Sequence, residues 1–405
     1  MRGSLSLVFL ALGGTCFEEG DIPQRKVQKI YSGPITMEDT SSWDIFVKYH
    51  LPQLRRHALA VVVHRPTYAL VDSLLAKGMM LRYIYVPEHG LFGEGKAGAV
   101  IRDTTYRGIP VISLYGKRKS PTTTELQNVG AILFALRDVG VRHYTYLSTL
   151  AYVLRAAYQA KVPAWILDFP NPHAHYAYGP LLDSSLFSFI GMYPVPLVPG
   201  FTIGEYARLL VGEKWVPPVQ LHVVPWKGWK RGGPLPPKKP FFSESPSPAL
   251  KDNLAIELYP ILGWYEGVRP ISVGRGTEKP FKQVGIKGID RLPFGDTVIY
   301  GYRLIPVIFQ PNQEKTTYTG WEIRREYAGP IKPDSLFRLG FFLLHTFYKA
   351  YPDKDFYDEE FFDKLFGTSL LRWMVEKHLP VDTLYASFQV LPSWDSLRTK
   401  YLIYE

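Results

Sequence analysis

The chain of 405 residues holds a single cysteine, Cys16. That excludes an internal disulfide framework and any metal site built on several thiolates. After the first apolar strand pattern the glycine fingerprint G-x-G-x-x-G is missing and VVVHRPTY stands in its place, so no dinucleotide cofactor is expected. A serine nucleophile on a strand-to-helix elbow needs G-x-S-x-G, which does not occur, and SFIGMYP is no substitute. No apolar run is long enough to span a bilayer, and there is no internal repeat. Acidic residues are in short supply: 37 Asp and Glu against 47 Lys and Arg leave a formal charge of +10. Such a surface attracts nucleic acid, acidic lipid or acidic glycan without choosing among them.

What is present begins with Met1-Arg2, the apolar run SLSLVFLALGG and then Thr15-Cys16. One positive charge, a short apolar stretch and a polar change of register read as a secretory signal peptide over residues 1–16. The expectation is export, to a periplasmic or extracellular location. Lipid attachment at Cys16 is a variant of this reading, although GGT before it is a poor match to the usual small-residue box.

From residue 58 short aliphatic runs alternate with longer amphipathic ones. ALAVVV, RYIYV, VISLY, AILFAL and AWILD read as strands covered on both faces. TYALVDSLLAKG and TYLSTLAYVLRAAYQAK carry helical spacing, the first closed by Gly78. The fold class is α/β: a doubly wound, mainly parallel sheet over residues 45–230. A Pro-rich linker follows at 231–250, then a smaller C-terminal α/β domain at 251–405. The basic and aromatic stretch WKGWKRGG from Trp226, beside PLPPKKP, reads as solvated linker rather than a binding patch.

Three of the strands run straight into polar clusters: Pro87-Glu88-His89-Gly90, Arg137-Asp138-Val139-Gly140-Val141-Arg142, and Asp168-Phe169-Pro170-Asn171-Pro172. Taken singly, Glu88 is an ordinary helix cap, Asp138 a turn residue and Asn171 a loop residue. At adjacent strand ends of a parallel sheet they share one edge, outside which ligands bind. The imidazole pair His173 and His175 has no acidic or cysteine partner at diagnostic spacing, so no metal is expected.

In order along the chain, PEHG, DVGVRHYTYLSTL, LDFPNP, GPLLD, SFIGMYPVP, GFTIGEYA, VGRGTEKPF and FFDKLFGT resemble the secreted exo-β-N-acetylmuramidases of NamZ type, from about residue 45 to the C-terminus. The resemblance implies a Rossmann-like domain with a smaller partner domain. The implied activity is release of N-acetylmuramic acid from the non-reducing end of peptidoglycan fragments, with no cofactor. Glycoside hydrolysis needs an acid for the leaving oxygen and a second group at the oxocarbenium-like centre. Glu88, walled by Tyr85, Leu91 and Phe92, is the expected acid, partly desolvated so that its pKa rises; His89 stands beside it. Asp138 or Asp168 serves as base or nucleophile, or else the substrate's acetamido oxygen attacks, oriented by Tyr146 or Asn171. Tyr144 joins the sugar-binding set. For the lactyl carboxylate Arg275 is the first candidate and Arg142 the second.

The chain also departs from the family pattern. His64-Arg65-Pro66-Thr67 follows the first strand, and Lys96-Ala97-Gly98-Ala99 stand where carboxylates are usual. These departures motivate a rival reading, a cell-wall glycan-binding protein that keeps the cleft without turnover. Nucleic acid is not an expected partner, because no recognised module accompanies the positive charge, and no transmembrane segment is expected.

Overall fold

The structure, a computed structural model, describes residues 40–92, 102–236, 244–312, 314–351 and 355–405. The signal-peptide reading over residues 1–16, the anchor at Cys16, the Lys96 and Ala99 positions and residues 237–243 of the linker reading lie outside the described residues.

Seven strands form the first sheet: β1 (Leu59–Val62), β2 (Leu81–Val86), β3 (Thr104–Tyr106), β4 (Ile109–Ser113), β5 (Ala131–Phe134), β6 (Ala164–Leu167) and β7 (Leu221–Val224). Their order is β3-β4-β2-β1-β5-β6-β7. All neighbours are parallel except the edge hairpin of β3 with β4. β1, β5 and β6 are buried at every residue, because apolar layers cover both faces. Ala60 and Val62 pack into one layer with Leu150 and Leu154 of the helix Tyr146–Gln159. Leu59, Val61 and Val63 pack into the other with Leu70, Val71 and Leu74 of the helix Ala69–Ala76. This two-sided burial removes any polar alternation from the strands and leaves the continuous runs seen in the sequence. Gly78 follows the second of these helices at φ +74°, a left-handed conformation that suits a residue without a Cβ.

The chain winds from β1 outward through β2 to β4, then returns to β5 on the other side of β1 and continues to β6 and β7. The carboxyl ends of β1 and β5 therefore flank the switch point, where an open parallel sheet leaves a crevice.

The second sheet is antiparallel throughout. It consists of β8 (Ile271–Ser272), β9 (Gln283–Ile286), β10 (Thr297–Ile299), β11 (Tyr302–Phe309) and β12 (Tyr318–Arg325), in the order β10-β11-β12-β9-β8. The helix Pro333–Ala350 lays Phe337, Phe341 and Phe347 into the same apolar cluster as Trp321 of this sheet and Trp264. The described residues belong to one compact unit, Met37–Glu405.

WKGWKRGG is solvated only in part: Gly228 and Lys230 are exposed, but its tryptophans are buried. Trp226 is 1% and Trp229 7% exposed. The backbone N–H of Trp226 donates to the Tyr404 hydroxyl at 3.0 Å, the Trp229 ring meets the Tyr404 ring edge-on, and Arg231 pairs with the buried Glu205. The aromatic residues of this stretch follow the hydrophobic term into the core, and its cation follows them to a buried partner.

Candidate active site

Pro87 ends β2, and the chain turns through His89 at φ +76° and Gly90 at φ +74°. A positive φ is uncommon at a side chain such as histidine. The turn sets Glu88 and His89 on the wall of a small cavity at the switch point, lined also by His64, Arg65, Gly90, Tyr146 and residues 245–248. The walls are these groups. Phe92 instead packs edge-on against Tyr68 and Tyr106, and Leu91 belongs to the apolar layer of Leu70 and Leu74.

Glu88 is held by neighbours from other strand ends. The Thr145 hydroxyl, just before the helix Tyr146–Gln159, donates to Glu88 Oε2 over a long 3.5 Å. Tyr115, beyond the end of β4, hydrogen-bonds the same carboxylate, and its hydroxyl is pushed up to about 12 by burial and then by the Glu88 charge. Lys119 lies near enough to feel that charge. Burial lowers its pKa and Glu88 opposes the shift. Its ammonium stands 3.7 Å over the Phe189 ring and 5.0 Å over Tyr115, an arrangement that holds the cation by the ring quadrupoles.

At the end of β1, His64 is 2% exposed and its ring meets Tyr146 edge-on, with centroids 5.3 Å apart. Its Nδ1 lies 3.1 Å from Thr67 Oγ1. Burial drives its pKa well below the ordinary histidine value, helped by the positive charge of Arg137 and by His89. The imidazole is neutral.

The roof comes from the end of the Pro-rich connection. Tyr144 and Tyr146, whose rings lie 4.5 Å apart, both donate to the Pro246 carbonyl, at 3.0 and 3.2 Å. Arg137 donates to the Glu244 carbonyl at 3.1 Å, and Arg65 pairs with the Glu244 carboxylate at 2.8 Å on the outer rim. About 10 Å³ stays open beneath the roof, room for one water. A larger hollow of about 580 Å³ opens at the far end of the helix Tyr146–Gln159, around Arg155, Trp215 and Pro217. None of its lining residues carries a carboxylate or an imidazole, so it lacks the groups that acid-base chemistry needs.

Of the residues singled out in the sequence, Glu88, His89 and Tyr146 line this cavity, and Tyr144 supports its roof. The others are placed differently. Asp138 is buried behind the lining. Its Oδ2 accepts from the Gly140 N–H at 2.6 Å, while Oδ1 has no partner. Burial pushes its carboxyl up to about 7; the Gly140 and Val139 amides hold it down and the Asp168 charge pushes it up further.

Asp168, expected at the sugar, is fully buried and fully engaged. It accepts from the Phe169 and Gly204 amides at 3.0 and 2.8 Å and from Thr202 and Tyr404 hydroxyls at 2.7 and 2.9 Å. It thereby ties β6 to the start of the helix Ile203–Gly212. Asn171, also expected at the sugar, spends its amide on the Phe201 carbonyl and the His173 N–H and packs so close to Gly140, at φ +75°, that it leaves no space there for a Cβ. Arg142 is 2% exposed and donates to four carbonyls, those of Pro180, Val195, Leu365 and Phe366. Through Nη1 and Nη2 it clamps the end of the helix Glu359–Phe366 to the first sheet, while its Nε is buried without a partner. Arg275 forms a two-pronged ion pair with Glu266 and lies over the Phe281 ring.

His173 and His175 contact the Tyr176 hydroxyl and backbone carbonyls. Among the described residues no three His, Cys, Asp or Glu side chains cluster in a way that could hold a metal ion, and no helix is long and apolar enough to cross a membrane. Tyr115, Lys119 and His64 were missed in the sequence, although the strand-end rule that found Glu88 covers them once VISLY and ALAVVV are followed past their last apolar residue.

Residues 59–253 match the family described as exo-β-N-acetylmuramidase NamZ, N-terminal, and residues 257–404 match its C-terminal counterpart. The chain is 35% identical over 336 residues to the peptidoglycan β-N-acetylmuramidase NamZ of Bacillus subtilis (strain 168), covering 80% of each chain. Two crystal structures of DUF1343 family proteins from Bacteroides fragilis NCTC 9343 share the fold. One has a TM-score of 0.75 at 23% identity over 92% of this chain and 100% of its own. The other has a TM-score of 0.72 at 24% identity over 91% and 99%. With both family regions matched in order along one chain, this protein belongs to the NamZ exo-β-N-acetylmuramidase family.

Proposed function

We propose that the chain is an exported exo-β-N-acetylmuramidase that releases N-acetylmuramic acid from the non-reducing end of peptidoglycan fragments. The observation that carries this reading is Glu88, the one carboxylate among the described residues of the cavity lining, set at the switch point of a chain that belongs to this family. As general acid, Glu88 protonates the leaving glycosidic oxygen. Thr145 and Tyr115 hold its carboxylate in one orientation, and Lys119 adds a positive charge beside it. Among the described residues no second carboxylate lines the cavity, and on that lining the substrate's own acetamido oxygen is the group that attacks the anomeric carbon. A pyranose is far larger than the open space, so it takes the volume filled by residues 245–248. Exo cleavage rests on the family to which the chain belongs.

The test is release of nitrophenol from a 4-nitrophenyl glycoside of N-acetylmuramic acid, with time-resolved product analysis on a defined wall oligosaccharide. Free muramic acid as first product supports the reading. Affinity without product would leave the glycan-binding alternative, and early internal fragments would overturn exo cleavage. Sequencing the N-terminus of protein recovered outside the cell tests export.

A further inference from the structure

His64 carries a feature the mechanism above does not use. Thr67 has one hydroxyl proton, and its shortest contact is to the Ala135 carbonyl at 2.6 Å. The Thr67 amide N–H donates to the His64 carbonyl at 2.8 Å, and the His64 amide N–H donates to Thr67 Oγ1 at 3.2 Å, the second a capping-box contact. With its proton on the Ala135 carbonyl, Thr67 Oγ1 presents a lone pair to His64 Nδ1 at 3.1 Å, and on that ground the ring proton is assigned to Nδ1. The other ring nitrogen, Nε2, is then a bare acceptor. It is buried, has no hydrogen-bond partner, and belongs to a ring on the cavity wall beside Glu88. An acceptor buried without a partner is destabilising, so its place on a cavity wall calls for a donor, a water in the free protein or a group of the bound sugar.

We propose that His64 Nε2 reads the substrate, accepting a hydrogen bond from a hydroxyl or the acetamido N–H of the sugar bound over Glu88. This rests on the muramidase reading and adds the chemistry of one contact. A neutral imidazole so oriented repels a carboxylate, so the group it takes is a neutral donor on the pyranose and not the lactyl acid. Arg137 keeps it that way, because a second cation beside it is disfavoured. The edge-on Tyr146 ring fixes its plane.

The experiment compares wild type, His64→Phe and His64→Gln by calorimetric binding of N-acetylmuramic acid and of its single methyl ethers, alongside hydrolysis and thermal melting. Phenylalanine keeps the ring and removes the acceptor, and glutamine restores a carbonyl oxygen near the Nε2 position. The expected result is at least tenfold weaker binding for His64→Phe and recovery to within about threefold for His64→Gln. Wild type should lose affinity for one particular ether, and His64→Phe should bind that ether and the parent sugar alike. Unchanged binding in both variants overturns the assignment, as does an equal loss for every ether together with a lowered melting temperature. If His64→Phe does not fold, His64→Leu, which also lacks the acceptor, takes its place in the binding and ether series. Wild-type hydrolysis with an unaffected His64→Phe removes this assignment alone; wild type that neither binds nor hydrolyses removes the muramidase reading and this contact with it.

Discussion

Tyr146 donates its hydroxyl at 3.2 Å to the carbonyl of Pro246, which lies where the chain passes from the first sheet to the second. Tyr144 donates to the same oxygen, so a buried carbonyl has two donors and either alone satisfies it. Tyr144→Phe and Tyr146→Phe should each cost about 0.5 to 1 kcal/mol of stability. The double variant should cost about 1 kcal/mol more than the sum, because it leaves the oxygen without a donor. Urea unfolding of the four proteins measures this, and strict additivity would show that Pro246 is held by other means.

Glu88→Gln keeps the size and the hydrogen-bonding capacity of the side chain and removes the proton it delivers. Hydrolysis of the chromogenic muramic glycoside should fall by about a hundredfold to ten-thousandfold, with sugar affinity and melting temperature near wild type. More than a third of the activity remaining would end the assignment of Glu88 as acid.

Arg142→Lys replaces a planar fork that reaches four carbonyls with a single ammonium that cannot. The site is fully buried, so the loss should be about 3 kcal/mol or more. The effect should appear as lowered stability with equal activity, per folded molecule, on muramic and glucosamine glycosides. A loss confined to muramic substrates would return Arg142 to the binding site.

Much of the first sheet was legible because β1, β2, β5 and β6 are covered on both faces and announce themselves as continuous apolar runs. The second sheet was not. β11 is buried only in part and irregularly along its length, and its pairing with β12 is not written in either strand alone. In the site, the strand-end rule located Glu88 and His89. It could not tell a side chain turned to the crevice from one turned inward, and so it also offered Asp168, Asn171 and Arg142. What separates them is the supply of internal partners: the Gly204 amide for Asp168, the Phe201 carbonyl for Asn171, the Leu365 carbonyl for Arg142. These arrive from distant parts of the chain. Residues 245–248 read as linker for a related reason, since proline and serine give no periodicity, while the fold uses a backbone carbonyl there.

Asp138 supplies a prediction in which the sign matters. Its folded-state pKa is raised to about 7, above the value of about 3.9 expected for an unfolded chain. Between about pH 4 and pH 7 the unfolded state has released a proton that the folded state still holds, so this residue's contribution to stability falls as pH rises and is fully lost above pH 7. Asparagine keeps an oxygen for the Gly140 N–H and has nothing to ionise. The stability of Asp138→Asn relative to wild type should therefore improve from pH 4 to pH 7, by on the order of 1 to 4 kcal/mol given about 1.4 kcal/mol per pH unit. Asp168, also raised to about 7 by burial and by Glu205, slopes the same way. His143 and His173, lowered by burial to about 3 and about 4, slope the opposite way. All three residues are present in both proteins, so their own contributions cancel and the difference between the two reports Asp138 together with its coupling to Asp168. Unfolding midpoints in urea at pH 4, 5.5 and 7 measure it. A difference that stays flat with pH would mean that Asp138 is already ionised in the folded protein at pH 4, with its second oxygen served by a donor such as water.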